Sequence, residues 1–384
     1  MRFLHTADWH IGKSLRGRSR LEEQSQVLDE ILDIVRREKI DFVLHAGDVF
    51  DSFAPPAEAE RLVYHFFSEL AGLKIPAVII GGNHDHPHRL EALRPLLDHM
   101  QIHVRPAVKA AEDGGVVNLD VRGERAQIAV MPFLPEHKVV TVEALMSASP
   151  ERFTNYAEAV CCYVEQLCEG FSANTVNILA GHLFVMDSEA TGSERSIHLT
   201  KPYALEAARF PSTASYIALG HLHKPQMVPA PSPAHYAGST LQMDFGEEGH
   251  IKRVVVVDAS PRKSAKVQSV ALTSGRRLRS VRANLLEVQQ KQDAWNNGDL
   301  LRVTIEAEKA QLGLADKIRE MLPDAIDVRI EFPRPEEEKA ESLEALKPEE
   351  LFERFYRTRN ESELPDELRK AFQELYEETT RAPR

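Results

Sequence analysis

Five short apolar runs in this chain each stop at a residue able to hold a metal ion, and that pattern constrains the fold more than any other feature. Arg2 to Ala7 ends in Asp8-Trp9-His10, Asp41 to Ala46 in Gly47-Asp48-Val49-Phe50-Asp51, and Ala77 to Ile80 in Gly81-Gly82-Asn83-His84-Asp85. Thr175 to Ala180 ends in Gly181-His182, and Tyr216 to Leu219 in Gly220-His221-Leu222-His223. Each run has the length and composition of a buried strand. Residues so distant in sequence can meet where the carboxyl ends of strands border one crevice, as they do in α/β sheets. The glycines that open four of the motifs let backbone crowd such a site.

Carboxylates, an amide oxygen and imidazoles suit manganese, iron or zinc, and the lack of thiolates argues against a structural zinc site. The set is the right size for two ions sharing one carboxylate. We assign Asp8, His10, Asp48 and His223 to one ion and Asp48, Asn83, His182 and His221 to the other, with Asp48 bridging. Two ions held this way clamp phosphate oxygens for in-line displacement. His84 is left over, and an imidazole without a metal is suited to protonating the leaving oxygen. Asp51 is expected to orient His84 through its carboxylate and to favour the protonated ring; the alternative is a loop cap. The remaining histidines, His5, His45 and His198 among them, are read as structural or loop residues.

Ala7 to Ser14 reads Ala-x-x-x-x-Gly-Lys-Ser, close to a phosphate-cradling loop. Its interior holds Asp8 and His10, which the metal site needs, so any ATP dependence is expected from another chain. The formal net charge of −12 argues against a grip on nucleic acid by overall charge. A local basic loop remains, with Lys13, Arg16, Arg18 and Arg20 as candidate DNA contacts or as an ordinary solvated loop. Cys161, Cys162 and Cys168 fit neither a disulfide framework nor a zinc site and are expected to be reduced thiols. There is no run of about 18 apolar residues and no secretory core, so a cytoplasmic protein is expected.

With 384 residues, two or three domains are expected. Apolar runs alternate with amphipathic stretches up to about residue 258, as in an α/β layered domain. From Ser264 to Pro333 a smaller unit follows, with strands near Lys266 to Ala271, Leu300 to Ala307 and Ile326 to Phe332 and a helix from Leu314 to Met321. Pro333 to Glu338 reads as a stiff, charged linker. Beyond it, Leu351, Phe352 and Phe355, then Leu368, Phe372 and Leu375, recur at helical spacing. Those two helices either fold back on the body or dock a partner by the helix-in-groove mode. The expected division is 1–262, 263–333 and 334–384. The amphipathic stretch Ala57 to Ala71 fits either the core or a dimer interface.

The segments around Asp8 and His10, Asp48 and Asp51, Asn83 and His84, and His221 and His223 resemble the calcineurin-like metallophosphoesterases. Over nearly the whole chain, and in Gly12 to Leu15, Gly17 to Glu23, Tyr236 to Ser239 and Phe245 to Glu247, the sequence is similar to nucleases of the SbcD family. That resemblance implies a layered β-sandwich flanked by helices, a small α/β capping domain that admits DNA, and C-terminal helices that bind an SbcC-type ATPase. It also implies a manganese-dependent nuclease, a 3′ to 5′ exonuclease on duplex DNA and an endonuclease on single strands, that processes ends and hairpins during repair. The expected assembly is a homodimer within a heterotetramer, at the nucleoid.

Two other readings compete. A phosphatase or cyclic-nucleotide phosphodiesterase shares the metal motifs, but needs neither a capping module nor a docking helix pair. A catalytically silent scaffold at DNA ends has no need of the complete ligand set and His84.

Overall fold

A computed structural model of the chain describes residues 1–138, 156–199, 203–309, 311–332, 348–360 and 363–381. They fall into two compact units, Met1–Glu306 with Gln311–Glu331, and Ala307–Ala310 with Phe332–Arg384.

The main strands of the larger unit are β1 Arg2–Thr6, β2 Phe42–His45, β3 Ala77–Ile80, β4 Ile102–Arg105, β5 Val116–Val121, β6 Glu124–Met131, β7 Val176–His182 and β8 Tyr216–Gly220. They continue with β9 Gln226–Val228, β10 Ala234–Tyr236, β11 Arg253–Ser260, β12 Lys263–Ala271, β13 Leu278–Ala283, β14 Leu300–Glu306 and β15 Ala325–Glu331. One six-stranded sheet runs β12-β11-β1-β2-β3-β4 and another β9-β10-β8-β7-β6-β5. Around the site the strands are parallel, β1 with β2, β2 with β3, and β7 with β8, so their carboxyl ends share a direction.

Alternation along each strand sorts the side chains into layers. Phe3, Leu44, Val78 and Ile80 from the first sheet pack against Ile128, Ile178, Tyr216 and Ala218 from the second. The opposite face of the first sheet, with Leu4, Val43 and Ile79, is covered by α1 Leu21–Arg37, α2 Ala57–Gly72 and α3 Pro87–His99. The opposite face of the second is covered by α4 Tyr156–Cys168, which carries all three unpaired cysteines. The result is a β-sandwich flanked by helices. Val63, Phe66, Phe67 and Leu70 of α2 lie in the core.

The capping boundary needs correction. Lys263–Ala271 is β12, paired antiparallel with β11 (Val255 opposite Ser269), so it is an edge strand of the first sheet. Its alternating, mostly exposed side chains had the look of a new module because an edge strand lacks the apolar density of a central one. The smaller sheet begins at β13 and runs β13-β14-β15, all parallel. It carries α5 Leu285–Trp295 and α6 Leu314–Met321. Sequence reading missed β13 and α5, although Asn284 and Glu287 form a capping box at the start of α5.

The second unit holds α7 Pro348–Asn360 and α8 Asp366–Arg381. Phe352 stacks on Phe372 with centroids 4.3 Å apart, and Arg369 pairs with Glu353 at 2.7 Å. Part of the aromatic stripe is thus covered within the pair, while Phe355 and Leu368 are exposed and Leu351 is half-buried. The side chain of Leu375 and the expected linker 333–338 lie outside the described residues. Among the described residues, no helix is long and apolar enough to cross a membrane.

Candidate metal centre

The ends of β1, β2, β3, β7 and β8 deliver all seven sequence-predicted donors to one buried spot. Asp8, His10, Asp48 and His221 adopt left-handed backbone conformations, with φ of 50°, 47°, 59° and 100°. Such conformations are costly for side-chain-bearing residues and concentrate at functional sites. Two glycines make room. A Cβ on Gly82 would collide with the Asp48 carboxylate and one on Gly47 with the His182 ring. Fully buried Trp9 pins the first loop, its indole N–H donating to Thr6 Oγ1 at 2.9 Å.

Donor atoms of Asp8, His10 and His223, of His10, Asp48 and His84, and of Asp8, Asp48 and His182 form three groups, each within 4.8 Å of one another. His10 Nε2 and His223 Nε2 face each other at 3.0 Å. Asn83 Oδ1 lies 3.0 Å from His182 Nε2 and 2.9 Å from His221 Nδ1. Asp48 Oδ2 sits between, 3.6 Å from His10 Nε2 and 3.4 Å from His182 Nε2.

Converging lone pairs of this kind fit divalent cations. Burial pushes the Asp8 carboxyl up to about 7 against the pull of His182 and His223. Burial acts on Asp48 the same way, but His182, His10 and His84 outweigh it and hold the carboxyl well below its usual range. His182 rises to about 9, because Asp48 and Asp8 overcome the burial penalty. Burial takes His10 down to about 4 and His221 well below 6.5.

The expected role of Asp51 is corrected by the geometry. Its carboxylate lies 3.3 Å from His10 Nδ1 and 3.1 Å from Lys13 Nζ, so it backs a predicted donor rather than His84. His84 is held instead by the Asp51 backbone carbonyl, to which Nδ1 donates at 2.7 Å, while its own N–H donates to Asp48 Oδ1 at 2.8 Å. Burial lowers the His84 pKa, against the opposing pull of Asp48.

The basic loop also differs from expectation. Arg20 is buried, bonded to both Glu23 oxygens and to the Gln242 carbonyl, so it is unavailable to DNA. Arg16 pairs with Asp327 at 3.3 Å and Arg18 with Asp324 at 3.2 Å, which ties the loop to the small sheet. Sequence alone could not show that acids some 300 residues away would claim these cations.

Three carboxylates were missed. Asp85, present in the third motif, accepts from the N–H groups of Val49, Phe50 and Gly82 and knits two site loops together. Glu194 accepts the His223 N–H at 3.0 Å. Glu247 is fully buried, 3.2 Å from His223 Nδ1, and accepts from Lys252 at 2.5 Å and from the Ser193 hydroxyl. Its signal in the sequence was the Phe245-Gly246-Glu247 stretch. His198, read as structural, stands at the rim with its ring 6.2 Å from that of His221. The phosphate-loop reading fails structurally as well, since the next helix starts only at Leu21.

The calcineurin-like phosphoesterase profile matches residues 1–225, and the profile described as the type 5 capsule protein repressor C-terminal domain matches residues 274–360. The chain belongs to the calcineurin-like phosphoesterase family, metal-dependent phosphoesterases by their site.

Within that family it groups with the SbcD proteins. The SbcD component of the nuclease SbcCD from Bacillus subtilis is 35% identical over 391 aligned positions, 98% of this chain and 97% of that one. The SbcD component of the same nuclease from Escherichia coli K12 is 28% identical, covering 77% and 74% of the two chains. A dimetal phosphatase structure from Danio rerio aligns with a TM-score of 0.41 at 12% identity, covering 72% of this chain and 99% of that one.

Proposed function

We propose that this chain is a manganese-dependent nuclease that hydrolyses DNA phosphodiesters at a two-ion centre. The observation that carries the reading is the convergence of seven buried oxygen and imidazole donors beside His84, an imidazole hydrogen-bonded to backbone rather than to a carboxylate. In this reading Asp8, His10, Asp48 and His223 hold one ion and Asp48, Asn83, His182 and His221 the other. Bound divalent ions supply Lewis-acid stabilisation of the phosphate oxygens. Because Nδ1 of His84 donates to Asp51 O, Nε2 is the nitrogen left to face the substrate, and it gives a proton to the leaving oxygen from the doubly protonated ring.

Resemblance to SbcD supports duplex exonuclease and single-strand endonuclease activities, an SbcC-type ATPase as partner, and a dimer within a heterotetramer working on cytoplasmic, nucleoid DNA. Lys13, Arg16 and Arg18 remain the proposed DNA contacts on their loop, and the small sheet is the proposed capping module. Exposed Phe355 and Leu368 are the proposed docking residues for the partner.

Incubation with manganese and either linear duplex DNA or an aryl phosphomonoester tests the substrate class; cleavage of the monoester alone sinks the nuclease reading. His84→Ser is expected to lose hydrolysis while still binding manganese and DNA. Loss of metal in that variant would show that His84 is a ligand instead.

A further inference from the structure

Beside the donor cluster lies an aromatic recess that phosphoester hydrolysis does not by itself require. Two cavities, each of about 490 Å³, meet along Phe53, Asn83, Phe133 and Pro135. Asn83 therefore belongs both to the donor set and to the recess wall. The Phe133 ring lies 6.2 Å from His221 and 4.7 Å from His198, and Tyr203 is nearly parallel to it at 6.4 Å. Phe53, on the loop after β2, is 51% exposed, and its ring meets that of His86 edge-on at 5.7 Å. Across the mouth, exposed Arg195 donates to the Asn83 carbonyl at 3.3 Å and comes within 3.5 Å of His84 Nδ1.

A single exposed aromatic is ordinary. A concave wall of aromatic rings continuous with a phosphoester centre and edged by a guanidinium is not, because it matches the two halves of a nucleotide. Every base has a π face that stacks on aromatic side chains whatever its sequence, and its phosphate pairs with arginine. A phosphomonoester without a base would leave the rings unused. Each cavity is also within the size range of small-ligand pockets.

We propose that this recess seats the base of a nucleotide flanking the scissile phosphate, with Phe53 stacking on the base and Arg195 facing the adjoining phosphate. The inference rests on the nuclease reading above and adds a substrate preference to it. A base can enter the recess only after leaving its own stack. Unstacking costs a few kcal/mol in a duplex and least in an already single strand. Frayed ends, hairpin loops and single strands are therefore the favoured substrates of this subsite.

The test uses the full chain with manganese and three single-stranded oligonucleotides that each have one cleavable linkage. One bears all its bases, one is abasic on the 5′ side of the linkage, and one is abasic on the 3′ side. Wild type is expected to cut one abasic strand about 5- to 100-fold less efficiently in kcat/KM than the full strand. Phe53→Ala brings that ratio close to one, and Phe53→Trp keeps it. As a readout free of catalysis, 2-aminopurine at the sensitive position, with chelator present, is quenched by wild type and by Phe53→Trp but not by Phe53→Ala.

Equal cleavage of all three strands by wild type, or a ratio or quench that survives in Phe53→Ala, overturns the subsite and leaves the nuclease reading intact. Failure to cut any of the three, with an aryl phosphodiester still hydrolysed, overturns the nuclease reading and the subsite with it.

Discussion

Replacing Glu247 by Gln keeps the side-chain volume and removes one buried negative charge. That charge has two clients. It receives Lys252 Nζ at 2.5 Å, and Lys252 is itself buried; it also stands 3.2 Å from His223 Nδ1. Burial alone would raise the Glu247 carboxyl, but His223 and Lys252 hold it well below the usual range, and in return Glu247 lifts the pKa of His223. A carboxylate on the far nitrogen of a metal-binding imidazole fixes the tautomer that offers the near nitrogen, and losing such a partner typically costs about 10- to 100-fold in metal affinity. Leaving Lys252 buried without its counter-charge costs a further 3–5 kcal/mol or so of folding stability. The two effects separate in a double variant. Glu247→Gln with Lys252→Met is expected to recover most of the stability in urea titrations, yet to bind manganese as weakly as the single variant by calorimetry. Wild-type manganese affinity in Glu247→Gln refutes the orienting role. Affinity that returns together with stability in the double variant assigns the whole effect to folding.

Other outcomes follow from the same geometry. Arg20→Ala should lower stability by about 3–5 kcal/mol, because it strands buried Glu23, and thermal melts should register this without any DNA present. Arg18→Ala removes only a half-exposed pair, worth about 0.2–1 kcal/mol, so the melt should barely move while hydrogen exchange rises across 278–331; an unchanged exchange pattern would mean the pair does not hold the small sheet. Manganese at about 100 times its dissociation constant should stabilise the protein by roughly 2.7 kcal/mol, and chelation should remove that increment. His5 is held down to about 3 by burial and the nearby His235, against 6.5 for an ordinary histidine. The unfolded chain takes up this proton first, so the stability it confers is complete above 6.5 and is lost as pH falls toward 3. At 1.36 kcal/mol per pH unit the gap is at most about 5 kcal/mol, and His5→Gln should show a shallower loss of urea resistance between pH 7 and 5.

The strands carrying the site were legible because they are central: buried on both faces, they read as predominantly apolar runs ending in chemistry-bearing residues. The edge strand β12 and the half-exposed β13 lack that density, and their sheet membership is decided by partners remote in sequence. Side-chain partnerships were the least legible. Asp51 lies close to His84 in the fold, yet its carboxylate turns to His10 and Lys13, leaving its carbonyl for His84. Nothing local distinguishes those two acceptors. Arg20 looked like a surface cation because its carbonyl acceptors, Gln242 and Arg276, are more than 200 residues away.

The donors come from opposite sheets, Asp8, His10, Asp48 and Asn83 from the first and His182, His221 and His223 from the second. A ribosome that has released only the first hundred or so residues has made four of them, together with His84. Such a fragment lacks His182, His221 and His223. The full donor set is thus assembled only when the second half of the sandwich has been synthesised and has closed on the first, so the two sheets must fold together before the centre can exist.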